Sequence, residues 1–259
     1  MRVVFMAKSK RSAARALAWL VENGCDVPAV VASEPDEWTA DEQRVDLVAA
    51  EHGIPLLGES DLYGAAERGE LGQVDLVVSF LFWSRIREPL ISLGRLGCIN
   101  LHPAPLPDLR GVGGYNVALL EGRDEWGVSC HFVDDRIDTG DLVEVERFPI
   151  DSATETALSL DVLSQERLLA LFQRVMEIAL SGAELPRERQ GEGRYVSRAE
   201  LEDLRVVRPG DDLDRKLRAF WYPPWPGAVV DIEGRRLTLV DDGLLGELAR
   251  AYRAAGVVP

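Results

Sequence analysis

Asn100 and His102 stand two residues apart at the end of an apolar run, and Pro103 follows at once. On a strand, that spacing puts both side chains on one face, and the proline ends the strand. An amide and an imidazole that project together can hydrogen-bond a developing oxyanion. The same pair can also be an ordinary polar cap on a strand end. A second group lies in residues 131–140, HFVDDRIDTG, where Asp138 closes a turn rich in carboxylates. A carboxylate beside an imidazole favours the imidazolium and can take a proton during a reaction. A solvated acidic hairpin would have the same composition. A calcium loop fits poorly, because the twelfth position counted from Asp134 is Val145, where the EF-hand requires Glu.

The remaining chemistry-bearing patterns are weaker. Gly111-Val112-Gly113-Gly114 follows a proline-rich loop, whereas a dinucleotide fingerprint follows a strand. Walker A, G-x-S-x-G and H-E-x-x-H motifs are missing, and there is no paired-cysteine or Cys/His zinc pattern. Cys25, Cys98 and Cys130 are few and far apart, as in a reduced cytoplasmic protein whose thiols fill the core. His52 reads as a helix end. Lys8, Lys10 and Arg11 cluster before an expected helix, where charge and helix dipole would welcome a phosphate; a solvated basic turn is the plain alternative.

The elements that must position these residues read as α/β. Apolar runs at residues 2–7, 27–32, 54–57, 74–80 and 98–101 read as buried strands, and residues 11–23 and 40–52 as helices between them. This alternation implies a Rossmann-like, mostly parallel sheet with helices on both faces, and ligands bind beyond the carboxyl ends of such strands. Residues 126–133 and 141–148 then read as strands flanking the acidic turn, and 154–180 as a long helix. Residues 187–259 form a small C-terminal α+β subdomain after a catalytic domain at 1–186. It contains the aromatic–proline stretch 220–226 and a hairpin over 228–240 that turns at Glu233-Gly234.

The formal net charge is −15. Residues 187–259 hold thirteen basic and thirteen acidic residues, so the C-terminal part is neutral rather than basic. A polyanion such as tRNA is repelled by such a chain, so no nucleic-acid partner is expected. The expectations are also a cytoplasmic protein with no signal peptide, no membrane span and no bound metal.

In order, Asn100-Leu101-His102-Pro103, Leu106-Pro107-x-x-Arg110-Gly111, Gly127-Val128-x-x-His131 and Asp138-Thr139-Gly140-Asp141 together resemble the folate-dependent formyltransferase family. The resemblance is clear over residues 1–180. It implies a formyl donor, 10-formyltetrahydrofolate, and a catalytic set of Asn100, His102 and Asp138, with Asp138 keeping His102 charged. It implies that the pterin lies against Phe82, Trp83, Ser84 and Ile86 on one side and Asp134, Asp135 and Asp138 on the other. His131 corresponds to a family histidine near the reacting centre. The acceptor side departs from the usual pattern: Pro103-Ala104-Pro105-Leu106-Pro107 replaces a Ser-Leu-Leu-Pro loop, and Gly113-Gly114-Tyr115-Asn116 follows Arg110-Gly111. These variants are more similar to the amino-sugar nucleotide branch. The expected acceptor is thus a primary amine on a sugar nucleotide, met by Lys10, Arg11, His131, Gly113, Tyr115 and Asn116. An amino acid or aminoacyl acceptor, and a non-catalytic folate binder, are the competing readings. Trp221, Tyr222 and Trp225 either stack on a base or pack as an apolar seam, and the apolar C-terminal cluster is compatible with a homodimer.

Overall fold

The computed structural model describes residues 1–254. Two compact units divide them. The first comprises residues 1–111, 127–148 and 163–195; the second is assembled from 112–126, 149–162 and the described residues from 196 onward.

The first unit is built on a six-stranded sheet. Its strands are β1 (Val3–Ala7), β2 (Val30–Ala32), β3 (Leu76–Phe80), β4 (Cys98–His102), β6 (Glu125–Phe132) and β7 (Leu142–Pro149), in the order β2-β1-β3-β4-β6-β7. The short β5 (Leu109–Gly111) and β8 (Arg194–Val196) lie outside that sheet. β2, β1, β3 and β4 are parallel, and β6 runs antiparallel to β4. β1 and β3 are buried at every position, as expected of strands covered on both sides. On one face Val4, Met6 and Val77 pack with Leu62 and Ala65 of α3 (Glu59–Glu67) and Leu90 of α4 (Leu90–Leu93). On the other, Phe5, Phe80, Phe172 and Trp19 form an edge-packed aromatic chain. Trp19 belongs to α1 (Arg11–Glu22) and Phe172 to α6 (Ala157–Leu180). The expected α/β, mostly parallel sheet with a helix layer on each face is what the chain forms.

Local departures have local causes. The apolar run at 54–57 makes no strand: it touches β2 through the single bridge Val30–Leu56. Pro55 has no N–H to extend the ladder, although its carbonyl accepts from Val30 N at 2.9 Å. Pro28 similarly sits ahead of β2, which is three residues long instead of six. The helix read over 40–52 divides at Arg44, whose extended backbone separates a 3-10 turn, Asp41–Gln43, from α2 (Val45–Glu51).

The second unit contains α5 (Gly114–Leu120), α7 (Arg198–Arg205) and α8 (Leu213–Phe220), and the antiparallel hairpin of β9 (Val229–Ile232) and β10 (Arg235–Thr238). Ser197 and Asp212 cap α7 and α8 by accepting from Glu200 N and Arg215 N. Glu233 and Gly234 turn the hairpin, both with positive φ, as a tight two-residue hairpin turn requires. Among the described residues, no helix is long and apolar enough to cross a membrane.

Candidate active site

β3, β4 and β6 bring three polar residues into register across the sheet. Ser79 pairs with Asn100, and Asn100 with His131. The same transverse row continues as Met6 and Val31 on β1 and β2, so it is apolar at one end and polar at the other. Ser79 Oγ lies 2.6 Å from Asn100 Oδ1, and Asn100 Nδ2 lies 3.1 Å from His131 Nε2. His131 Nδ1 lies 2.7 Å from the Phe132 carbonyl oxygen. His102, two residues beyond Asn100, is on the same face. Its Nε2 is 3.1 Å from the Leu109 carbonyl, so that nitrogen carries a proton.

Asp138 completes the cluster. Its Oδ2 is 3.7 Å from His102 Nδ1, and its Oδ1 is 3.5 Å from His131 Nε2. Gly111 N donates to Oδ2 at 2.9 Å. The residue holds φ 55, a left-handed conformation that is strained for anything but glycine or a short polar side chain. The turn that imposes it is closed by Phe132 N donating to Asp141 O. It is also pinned by Gln190 Nε2, which donates to the carbonyls of Asp138 and Gly140 at 3.2 and 2.5 Å. A Cβ on Gly140 would lie 1.9 Å from the Phe132 carbonyl, so the turn can close this tightly only on glycine.

Electrostatics here correct the expectation that Asp138 keeps His102 charged. His102 is 8% exposed. Burial lowers its pKa; the Asp138 carboxylate opposes that shift without overcoming it, and His131 adds to the lowering. Its resting form at neutral pH is therefore the neutral ring, with Nε2 protonated and Nδ1 free to accept. For Asp138, burial would raise the carboxyl, but His102, His131 and the Gly111 N–H outweigh it. The group sits well below the usual carboxylate range and stays ionised.

The two segments expected to flank a pterin meet, because the Arg85 guanidinium donates to the Asp135 carbonyl. Phe82 and Trp83 stack at a tilt with centroids 4.3 Å apart, Ser84 donates to Glu59, and Ile86 is buried. Trp83 is 44% exposed and lines a cavity of about 420 Å³ with Glu34 and Glu59, so it is not a core residue. Asp134 accepts from Thr139 and from Arg136 N. A larger cavity of about 660 Å³ adjoins the same turn, with Arg110, Arg136, Arg187 and Arg189 on its wall. Lys10 and Arg11 lie where β1 enters α1, beyond the carboxyl end of the sheet, with Arg11 exposed.

Gly113, Tyr115 and Asn116 belong to the second unit. Gly113 takes φ 69 before α5, Tyr115 packs on Trp126, and Asn116 Nδ2 donates to the Ala219 carbonyl at 2.7 Å. Trp221 is buried and Trp225 exposed, while the Tyr222 hydroxyl donates to Asp161 at 2.5 Å. Ser79 and Gln190 have no part in the sequence motifs, whereas Arg85 stands in the loop expected to meet the pterin. Ser79 alone had a legible signal, a hydroxyl in an otherwise apolar strand. Arg110 was seen in its motif but given no task. Among the described residues no group of three His, Cys, Asp or Glu could hold a metal ion.

Comparison with known proteins places this arrangement. The formyl transferase family matches residues 1–175. The chain is 29% identical over 256 residues to a methionyl-tRNA formyltransferase of Geobacter sulfurreducens, covering 95% of this chain and 80% of that protein. In fold it is similar to a 4-N formyltransferase from Francisella tularensis, with TM-score 0.74 and 18% identity over 92% of this chain and 96% of that one. It is also similar to an N-formyltransferase from Helicobacter canadensis crystallised with folinic acid and dTDP-3-aminofucose. There the TM-score is 0.70 and the identity 18%, over 90% and 85% of the two chains.

Proposed function

This chain belongs to the formyl transferase family, and we propose that it moves a formyl group from 10-formyltetrahydrofolate to a primary amine carried by a sugar nucleotide. The observation that carries the chemistry is the convergence of Asn100, His102 and Asp138 on one face at the carboxyl end of β4.

The donor supplies an electrophilic formyl carbon and a leaving nitrogen. As the acceptor nitrogen bonds to that carbon, the carbonyl pair moves onto oxygen; collapse then breaks the bond to the folate nitrogen. Asn100 has one Nδ2 hydrogen on His131 and a second left for the oxyanion. His102, neutral at rest with Nε2–H on Leu109, has Nδ1 to take the proton lost by the attacking nitrogen. Asp138 stabilises the imidazolium that results across 3.7 Å, and the proton passes on to the departing folate nitrogen. The residues present fit the donor: an exposed indole beside Phe82, and a loop joined through Arg85 to the turn bearing Asp138. The flat pterin ring is proposed to lie against the Trp83 indole, which borders a cavity of about 420 Å³.

For the acceptor, the support is of two kinds. Solved proteins of similar fold include N-formyltransferases, one of them bound to a dTDP-amino sugar. The −15 net charge also disfavours a tRNA-sized polyanion more than a nucleotide sugar. Formylation of methionyl-tRNA is the second reading, favoured by the 29% identical relative. The decisive assay offers 10-formyltetrahydrofolate with a panel of dTDP- and UDP-linked amino sugars and with methionyl-tRNA, and follows the formylated product by mass. Formylation of a nucleotide amino sugar is expected. Turnover of methionyl-tRNA alone would overturn the acceptor assignment, and no turnover of any amine would overturn the transferase reading.

A further inference from the structure

We propose that Ser79 is a positioning residue for the formyl transfer: its hydroxyl fixes the rotation of the Asn100 amide and polarises it toward the reacting oxygen. This rests on the reading of Asn100 as the oxyanion donor.

The direction of each bond follows from the atoms that face one another along the row. The Phe132 carbonyl can only accept, so His131 Nδ1 must donate to it. Nε2 lies 3.1 Å from Asn100 Nδ2, an amide N–H that can only donate. That fixes the amide with Oδ1 toward β3, where the only matching group is a donor, the Ser79 hydroxyl at 2.6 Å. All the hydrogens of the chain Ser79–Asn100–His131–Phe132 therefore point the same way, and such chains strengthen one another. Turning the amide over would place Oδ1 against the His131 lone pair. In the observed orientation the Ser79 hydroxyl donates to Oδ1.

Two consequences bear on the reaction. With one Nδ2 hydrogen on His131 and Oδ1 on Ser79, the amide plane is held at both ends and the second Nδ2 hydrogen has a single direction. A donor that is already aimed costs no reorganisation when charge develops. A hydrogen bond to Oδ1 also withdraws charge through the amide resonance, which makes that remaining N–H a stronger donor. The environment suits the task. Ser79 is 1% exposed and pairs on its other side with Met6, itself buried, so no solvent competes for the hydroxyl. A hydroxyl in this apolar position is unfavourable unless bonded, and Asn100 supplies the bond.

The test separates a donor from a space-filler. Ser79→Cys keeps the size and loses a strong donor, Ser79→Ala loses both, and Ser79→Thr keeps the hydroxyl. Expected for Cys and Ala is a fall in kcat of about tenfold, with KM for donor and acceptor unchanged, and recovery in Thr. A second readout needs no turnover. In 15N-labelled protein, the Asn100 side-chain amide pair is identified by its loss in Asn100→Asp. The separation of its two proton signals should shrink in Ser79→Ala and Ser79→Cys and persist in Ser79→Thr. Unmoved amide signals in Ser79→Cys, or a loss that falls on KM, would overturn the proposal. If the parent protein formylates no amine, the transferase reading fails while the amide signals still decide the role of Ser79.

Discussion

The carboxyl end of one sheet carries two sites of opposite construction. At β4, Asn100, His102, His131 and Asp138 are largely buried, and each is fixed by at least two partners drawn from β3, β5, β6 or the turn after it. At β1, the basic turn ends in an exposed Arg11 before α1, and Lys10 makes no side-chain cap. The first is pre-organised in the way charge stabilisation in a transition state requires. The second ends in an exposed guanidinium that is open to anions. On the proposed reading, in which the β4 cluster does the chemistry and the basic turn meets the acceptor, substitutions should affect the two ends in different kinetic constants.

The sharpest break of that contrast is at Asp138. Asp138→Asn keeps the size and the Gly111 contact but removes the charge that stabilises His102 once it is protonated. A fall in kcat of roughly 10²–10⁴ is expected. Asn100→Ala removes the oxyanion donor and should cost roughly 10²–10³. Both should leave KM for donor and acceptor nearly unchanged. Steady-state kinetics with the purified variants checks this; near-normal turnover in either removes that residue from the scheme.

How much of this was legible in the sequence follows from the same contrast. β1, β3 and β4 are legible because they are largely apolar runs, and Asn100 with His102 because a two-residue spacing fixes their face. Asp138 was located by its turn. The register was not legible: nothing in the spacing says that Ser79 lies opposite Asn100 and Asn100 opposite His131, since register is set by the whole sheet. Gln190 lies in a polar stretch without a motif, and its contact with the Asp138 carbonyl joins residues 52 apart. The protonation state of His102 was misread because the sequence shows the neighbouring carboxylate but not the burial that outweighs it. Helices α3 and α5 were overlooked, being short and rich in glycine at their ends.

That misreading makes the next prediction, of intermediate size. With the His102 pKa depressed, a neutral ring is the active form, so kcat/KM should hold on acidification past 6.5, the ordinary value, and fall only below it. The stability consequence has the same sign. Below 6.5 the unfolded chain takes up a proton that the folded one refuses, so stability is full above that pH and declines as pH drops. His102→Gln should flatten this decline in a thermal melt series between pH 7 and 5. An activity limb lying above 6.5 would mean that the carboxylate, and not burial, governs the ring.

The smallest effect should come from the basic turn, and its size is the point. Arg11 is exposed, where solvent screens it, and exposed charge pairs contribute about 0–1 kcal/mol each. Replacing Lys10 and Arg11 with Ala should therefore raise KM for a nucleotide-linked acceptor by only about three- to tenfold, and raising the ionic strength should erase much of the difference. kcat and KM for the folate should not change, because no residue of the buried cluster is touched. A large drop in kcat would show that the turn belongs to the rigid site after all, and the division between fixed chemistry and adaptable acceptor choice would have to be redrawn. An unchanged KM would leave the basic turn as solvated surface, and recognition of the acceptor would then have to come from other residues.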